Sequence, residues 1–227
     1  MLAVLKKELK SYFLSPIGYI VTGIFLVCFS VFFYLTVLQY GIVDLGGLYY
    51  YTALYGLIVI TPILTMRMFA EERKTGTEQL LLTSPTGMFS VVIGKLLAAL
   101  TVIAITLVMS LIFFVIVSFF GTPSLPMTLC AMFGFILISA ASLSLGMFIS
   151  SLTENQVIAG VGTAAFLILT LFLPDISSAF SNFTLIDFYI TFAQGVISIE
   201  NLISLVLFSL VFISFTIIVM QRRKLVK

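Results

Sequence analysis

Six stretches of this chain are apolar over about the length, roughly 20 residues, that a helix needs to cross the hydrocarbon core of a bilayer. They are 17–40, 48–66, 96–120, 127–150, 157–173 and 202–220, the fifth being the shortest. The backbone in such a run must satisfy its own hydrogen bonds, which a helix does within one segment. Composition excludes a soluble alternative. The chain is 61% hydrophobic and 9% charged, against roughly 25% charged in a soluble domain. The expected class is an all-α integral membrane protein, a single domain over 1–227 with six transmembrane helices. The two cysteines, Cys28 and Cys130, fall inside apolar runs and read as small packing residues.

The charges sort the loops. Lys6, Lys7 and Lys10 precede the first run; Arg67, Arg73, Lys74 and Lys95 lie between the second and third; Arg222, Arg223, Lys224 and Lys227 follow the sixth. These are all eleven basic residues. With six spans they share one side, and the opposite loops hold only Asp44, Asp175, Asp187 and Glu200. Cytoplasmic loops collect Lys and Arg, so both termini are expected in the cytoplasm of a multi-pass protein of the cell's inner (plasma) membrane. Tyr40 and Tyr49–Tyr51 stand where an outer aromatic belt would lie. The first run is too long for the core of a signal peptide and is expected to be retained as a span.

Residues 1–15 read as an interfacial helix. Leu2, Leu5, Leu9, Tyr12 and Phe13 recur at helical spacing with the three lysines between them, and Pro16 stops the helix. The segment 70–90 is the most unusual. It is charged at its start, carries a Thr75 to Glu78 capping pair with Thr77 as the alternative cap, continues through Leu80, Leu81 and Leu82, and ends at Ser84-Pro85. A plain connector between spans needs about 2–8 residues, so a short helix that docks on a cytoplasmic partner is expected here. The next cytoplasmic loop is brief, with Thr153, Glu154 and Asn155 placed to cap the fifth span.

On the outer side, 174–201 is too polar to span and too apolar for a free loop. Ile186, Tyr189, Ile190, Ala193 and Ile197 form a helical stripe, which suggests a re-entrant or surface-lying helix pair. Within the spans, Ser142, Gly146 and Ser150, and Gly160, Gly162 and Ala164, supply small residues for helix packing or for contact with a second subunit.

Three blocks carry a family resemblance: FAEERKTGTEQLLLTSPTGMFSVVIGKLLA (69–98), SSLTENQV (150–157) and FYITFAQGVISIENL (188–202). With the six spans and the N-terminal surface helix, the chain resembles the type-2 permeases of ATP-binding-cassette (ABC) transporters, and within them the gliding-motility-associated branch. The resemblance implies a permease that works as a homodimer or beside a related permease, with a cytoplasmic ABC ATPase under each subunit. It implies that Glu71, Glu72, Arg73, Gly76, Thr77 and Glu78, followed by Leu80–Leu82, form the coupling helix. The expected function is that of a non-catalytic subunit of an exporter that couples ATP hydrolysis by its partner to substrate movement. ATP and magnesium belong to that partner: the sole Gly-Lys pair, Gly94-Lys95, lacks the glycine five residues earlier and the Ser or Thr after it that a phosphate-binding loop requires. Membrane lipid is the other expected partner, and nucleic acid is not one.

Two other classes fit the residues less well. An ion- or proton-coupled carrier or channel keeps ionisable groups inside the bilayer, and no run holds a charge at its middle. An intramembrane protease could use Glu71 and Glu72, but such enzymes pair glutamates with histidines, and the chain has none.

Overall fold

The computed structural model describes residues 2–41, 44–79, 87–119, 121–176 and 184–226, with backbone only for 173–176 and 224–226. Among these residues the regular elements are all helical. Helix α1, Leu2–Leu14, turns directly into α2, Pro16–Phe33, because Pro16 lacks an N–H and occupies the first turn, where none is needed. The elbow is tight: a Cβ on Gly18 would lie 2.8 Å from the Tyr12 carbonyl oxygen. On α1, Tyr12 is buried, Leu5, Leu9 and Phe13 are half-buried, and Lys6, Lys7 and Lys10 point outward. Leu2, at the free end, is exposed.

In α2, Gly18, Val21, Phe25, Phe29 and Phe33 are buried. Such a narrow stripe belongs to an outer helix, and Val27 and Val31 on its other face are exposed. A π-helical turn, Tyr34–Leu38, extends it. Asp44 then caps α3, Leu45–Tyr51, its carboxylate accepting from the Gly46 N–H at 2.9 Å. A second π turn, Thr52–Gly56, joins α3 to α4, Leu57–Thr65. After the short α5, Ala70–Lys74, come α6, Met88–Ser118; α7, Leu125–Leu152; α8, Gln156–Ile176; α9, Leu185–Ala193; and α10, Ile199–Val226.

Among the described residues, five helical stretches are long and apolar enough to cross a membrane: Pro16–Leu38, Leu45–Lys74, Met88–Ser118, Leu125–Leu152 and Ile199–Arg223. The apolar part of the second closes before Arg67. The fifth of the six runs is a shorter apolar helix, Gln156–Phe172.

Helix α7 sits at the centre, packing on α3, α4, α6, α8, α9 and α10. Residues 141–147 are buried around the full helical turn, which small side chains allow. At Gly146 a Cβ would meet Thr65 Oγ1 at 2.5 Å and Thr163 Cγ2 at 2.8 Å, so this glycine lets α4 and α8 close on α7 together. Several span hydroxyls bond back to carbonyls of their own helices, as Thr65 does to Thr61 and Thr163 to Ala159, which satisfies them without a partner helix.

The third run, expected over 96–120, falls on the helix Met88–Ser118, which begins before it. In the outer segment, 174–176 complete α8 and 199–201 open α10, leaving α9 as one short helix between them; residues 177–183, where the other member of a pair would fall, lie outside the described residues. The stripe on α9 is rotated from the expected one: Leu185, Ile186, Tyr189, Phe192 and Ala193 are buried, while Ile190 and, beyond the helix, Ile197 are exposed. Tyr189 is held there because its hydroxyl donates to the Ala131 carbonyl of α7.

Candidate functional site

The segment after α4 gathers the charges of several elements at one end of the bundle. Arg67 places a bidentate fork on Glu71, one turn away, with Nη2 to Oε1 at 2.7 Å. The first amides of α5 have no intrahelical acceptor, as at any helix start. Ser150 of α7 supplies one: its Oγ accepts from Phe69 N and Ala70 N, each at 3.2 Å. At the other end, Thr75 donates to the Glu71 carbonyl at 2.9 Å and Gly76 turns the chain at φ +75°, a conformation that suits glycine. Thr75 therefore closes α5. The Thr75 to Glu78 capping pair is not its role, since the Glu78 carboxylate is engaged elsewhere. Thr77 donates to the Glu72 carbonyl at 3.3 Å.

Consecutive residues of α5 reach opposite ways. Arg73 Nη2 meets Glu154 Oε1 at 3.0 Å, and its Nε lies 3.5 Å from Glu78 Oε2. Glu78, 7% exposed, also receives Arg223 at 3.4 Å. One network thus joins α5, the turn between α7 and α8, and the end of α10. The turn itself is ordered by its own caps: Asn155 N donates to the Thr153 hydroxyl at 3.1 Å, and Val157 N to Asn155 Oδ1 at 2.9 Å.

Glu72 joins a second network around Lys95, whose side chain is 2% exposed. The ammonium donates to Glu72 Oε1 at 2.8 Å, the Met68 carbonyl at 2.8 Å and Glu8 Oε1 at 3.2 Å. It also lies 5.3 Å from the centre of the Phe69 ring, within reach of a cation–π attraction. Three donors find three acceptors, the condition for burying a charge without a large penalty. Burial pushes the Glu72 carboxyl above its ordinary range, and Lys95 only partly offsets this. Tyr12 nearby is pushed up by its own burial and then by the Glu8 charge.

Sequence reading placed Glu71, Glu72, Arg73, Gly76, Thr77, Glu78 and Glu154 at this site, and the structure brings Glu72, Arg73, Glu78 and Glu154 into two linked networks. Leu80, Leu81 and Leu82 lie outside the described residues. Lys95 and Glu8 went unrecognised as site residues, because Lys95 stood at the border of an apolar run and counted only toward topology. The missed signal was spacing: Lys95 follows Val91 by four residues and Val92 by three, so it shares the face they bury. Of the small residues, Gly160 faces Met66 within the same chain, where a Cβ would lie 3.6 Å from its Cβ, and Gly162 faces Ile149 at 3.2 Å. Ala164 is half-buried.

Chemically, the arrangement is a set of ion pairs spanning four helices and a turn, with α5 common to both networks. Among the described residues no group of three or more Cys, Asp or Glu side chains could hold a metal ion. No curated protein matches the chain. A family model described as ABC-2 family transporter protein matches residues 47–225, well over half of it.

Proposed function

The chain belongs to the ABC-2 transporter family, and from that premise we propose that it is the non-catalytic permease subunit that turns ATP hydrolysis into substrate movement, with export as the direction. The family implies pairing with an ABC ATPase subunit. In this reading the ATPase, holding ATP and magnesium, seats on the segment from Glu71 to Leu82 and touches the Thr153–Asn155 turn as its second contact. The chain crosses the inner membrane six times with both termini cytoplasmic, and pairs with a second copy or a related permease. Within the family the gliding-motility-associated branch fits its three sequence blocks.

The observation that carries the proposal is the sharing of α5 between two ion-pair networks. A displacement of this one segment reaches α1 and α6 through Glu72, and α8 and α10 through Arg73 and Glu78. A connector would need no such attachments.

The test is retention of the co-expressed ATPase on the purified permease. Leucines in a docked helix contribute roughly 1.5–3 kcal/mol each when buried, so Leu81→Asp is expected to release the ATPase while the permease still inserts. Wild-type retention by Leu81→Asp would remove the docking assignment.

A further inference from the structure

The packing of α9 fixes how deep it lies. A Cβ on Gly46, in the first turn of α3, would strike both the carbonyl of Ala193, the last residue of α9, and Met127, in the first turn of α7. Helix from Gly46 to Arg67 extends about 32 Å at 1.5 Å per residue, close to the roughly 30 Å of the hydrocarbon core. With the basic end at Arg67, Gly46 therefore marks the outer edge of that core. From Ala193 back to its start, α9 runs inward: Tyr189 bonds to the Ala131 carbonyl, and Leu185 and Ile186 line a crevice with Ile138 and Ser142. Asp187 stands in the first turn of α9, about 9 Å below Ala193 along the helix, at the level of the outer leaflet's acyl chains.

Ionisable groups at such a depth are costly and mark functional sites. Asp187 is exposed, and among the described residues its hydrogen-bond donor is the Thr184 hydroxyl. It forms no ion pair among the described residues. No cation of the chain is at hand, since Lys and Arg are absent from 11–66 and from 96–221. Aromatic rings lie beside it. Tyr50 is within electrostatic reach of Asp187, its ring meets that of Tyr51 at 5.6 Å between centroids, and Tyr51 stacks on Phe32 at 5.6 Å. Tyr51 is exposed. Ring faces attract cations, so charge and aromatic surface here favour the same kind of ligand.

We propose that Asp187, with Tyr50 and Tyr51, binds the cationic nitrogen of an amphipathic organic molecule lying in the outer leaflet. The ligand brings the positive charge that the chain lacks at this level, the rings add a cation–π surface, and the acyl chains around the site accommodate the ligand's apolar body. Neutral and anionic amphiphiles lack the counter-charge. Binding does not depend on the ATPase; that such a cation is also the transported substrate rests on the permease reading above.

Fluorescence anisotropy of rhodamine 6G, an amphipathic cation, tests the site, using the purified full-length chain in phosphatidylcholine nanodiscs with empty discs subtracted. The uncharged dye Nile red is the comparison. Rhodamine is expected to bind at roughly tenfold lower concentration than Nile red, the size of one charge-assisted interaction. Asp187→Asn, which keeps the side chain's shape, should abolish that preference. Tyr50→Leu should weaken rhodamine about threefold, as loss of one cation–π contact does, and leave Nile red unchanged. Equal binding of the two dyes by the unmodified protein, the result for a carboxyl that stays protonated toward lipid, overturns the proposal. A preference that survives Asp187→Asn overturns it as well. If Asp187→Asn fails to fold, the dye comparison and Tyr50→Leu still decide. Rhodamine that binds but is not carried across a liposome membrane with ATPase and ATP present would leave the site standing and remove only its role in transport.

Discussion

A lysine ammonium enclosed by protein is tolerated only while its protons have acceptors, and Lys95 has three. Removing it leaves Glu8 and Glu72 facing one another with only the exposed Lys7, 4.0 Å and 3.9 Å from them, as a cation. Lys95→Met should therefore lower the unfolding free energy by about 2–4 kcal/mol, toward the low end for a broken buried pair because both carboxylates keep some solvent contact. Adding Glu72→Gln should restore part of the loss; thermal unfolding of the two variants checks this, and a double variant as unstable as the single one would contradict it. The same carboxyl sets a pH dependence. Burial raises its pKa in the folded chain above the ordinary glutamate range, so the folded form binds the proton more tightly than the unfolded form. Stability from this group is then greatest at acid pH and is lost as pH rises through the raised pKa. Unfolding temperatures of wild type and Glu72→Gln, compared from acid to neutral pH, should show the steeper decline in wild type.

At the scale of the element, α5 is too short to be stable by itself, since isolated helices of fewer than about 12 residues are marginal in water. Its neighbours hold it: Ser150 at the start, Thr75 at the end, and ion pairs along its sides. Glu78→Lys would set a third cation among Arg73 and Arg223. Arg73 and Glu78 are largely buried, and breaking a buried pair costs roughly 3–5 kcal/mol, so Glu78→Lys should lower the unfolding temperature while the ATPase remains partly bound. Transport per ATP hydrolysed, measured in liposomes, should fall, and Arg223→Glu should recover some of it. Unchanged coupling in Glu78→Lys would argue that these charges only decorate the surface. The sequence announced this segment by its charge density and its length. It did not reveal what the charges touch, because Glu154 and Arg223 lie far off in the chain and only the packing of α7, α8 and α10 brings them to α5. The Thr75 to Glu78 spacing suggested a cap, but a threonine can equally bond backward to the preceding turn, and here it does.

For the whole molecule, apolar runs and the distribution of basic residues made the helical membrane class legible before any coordinates. Helix ends were less so. Lys95 resembled a boundary residue and proved to be inside α6, and the buried face of α9 turned on which residues meet Gly134 and Gly46, where a Cβ would strike Phe192 and the Ala193 carbonyl. Six crossings predict that cysteines at 44 and 187 react from the outside and cysteines at 74 and 224 from the cytoplasm; labelling of 74 and 187 from one face would end that topology. The packing of Gly160 on Met66 also refines the expectation for pairing. A bulky residue at 160 should first disturb α4 against α8 within one subunit and lower its unfolding temperature. Val161 is 65% exposed, so if α8 lies at the contact between copies, a cysteine there should cross-link them and one at 160 should not.

Ser150 has one further consequence. A single hydroxyl oxygen, rigidly carried by the central helix, holds both leading amides of α5, so the segment cannot slide along α7 without losing two bonds at once. It can tilt about that point. With Glu72 and Arg73 reaching to opposite sides, Ser150 is placed as a fulcrum and α5 as a rocker: were the ATPase proposed to seat there to push on it, one side of the bundle would rise as the other fell.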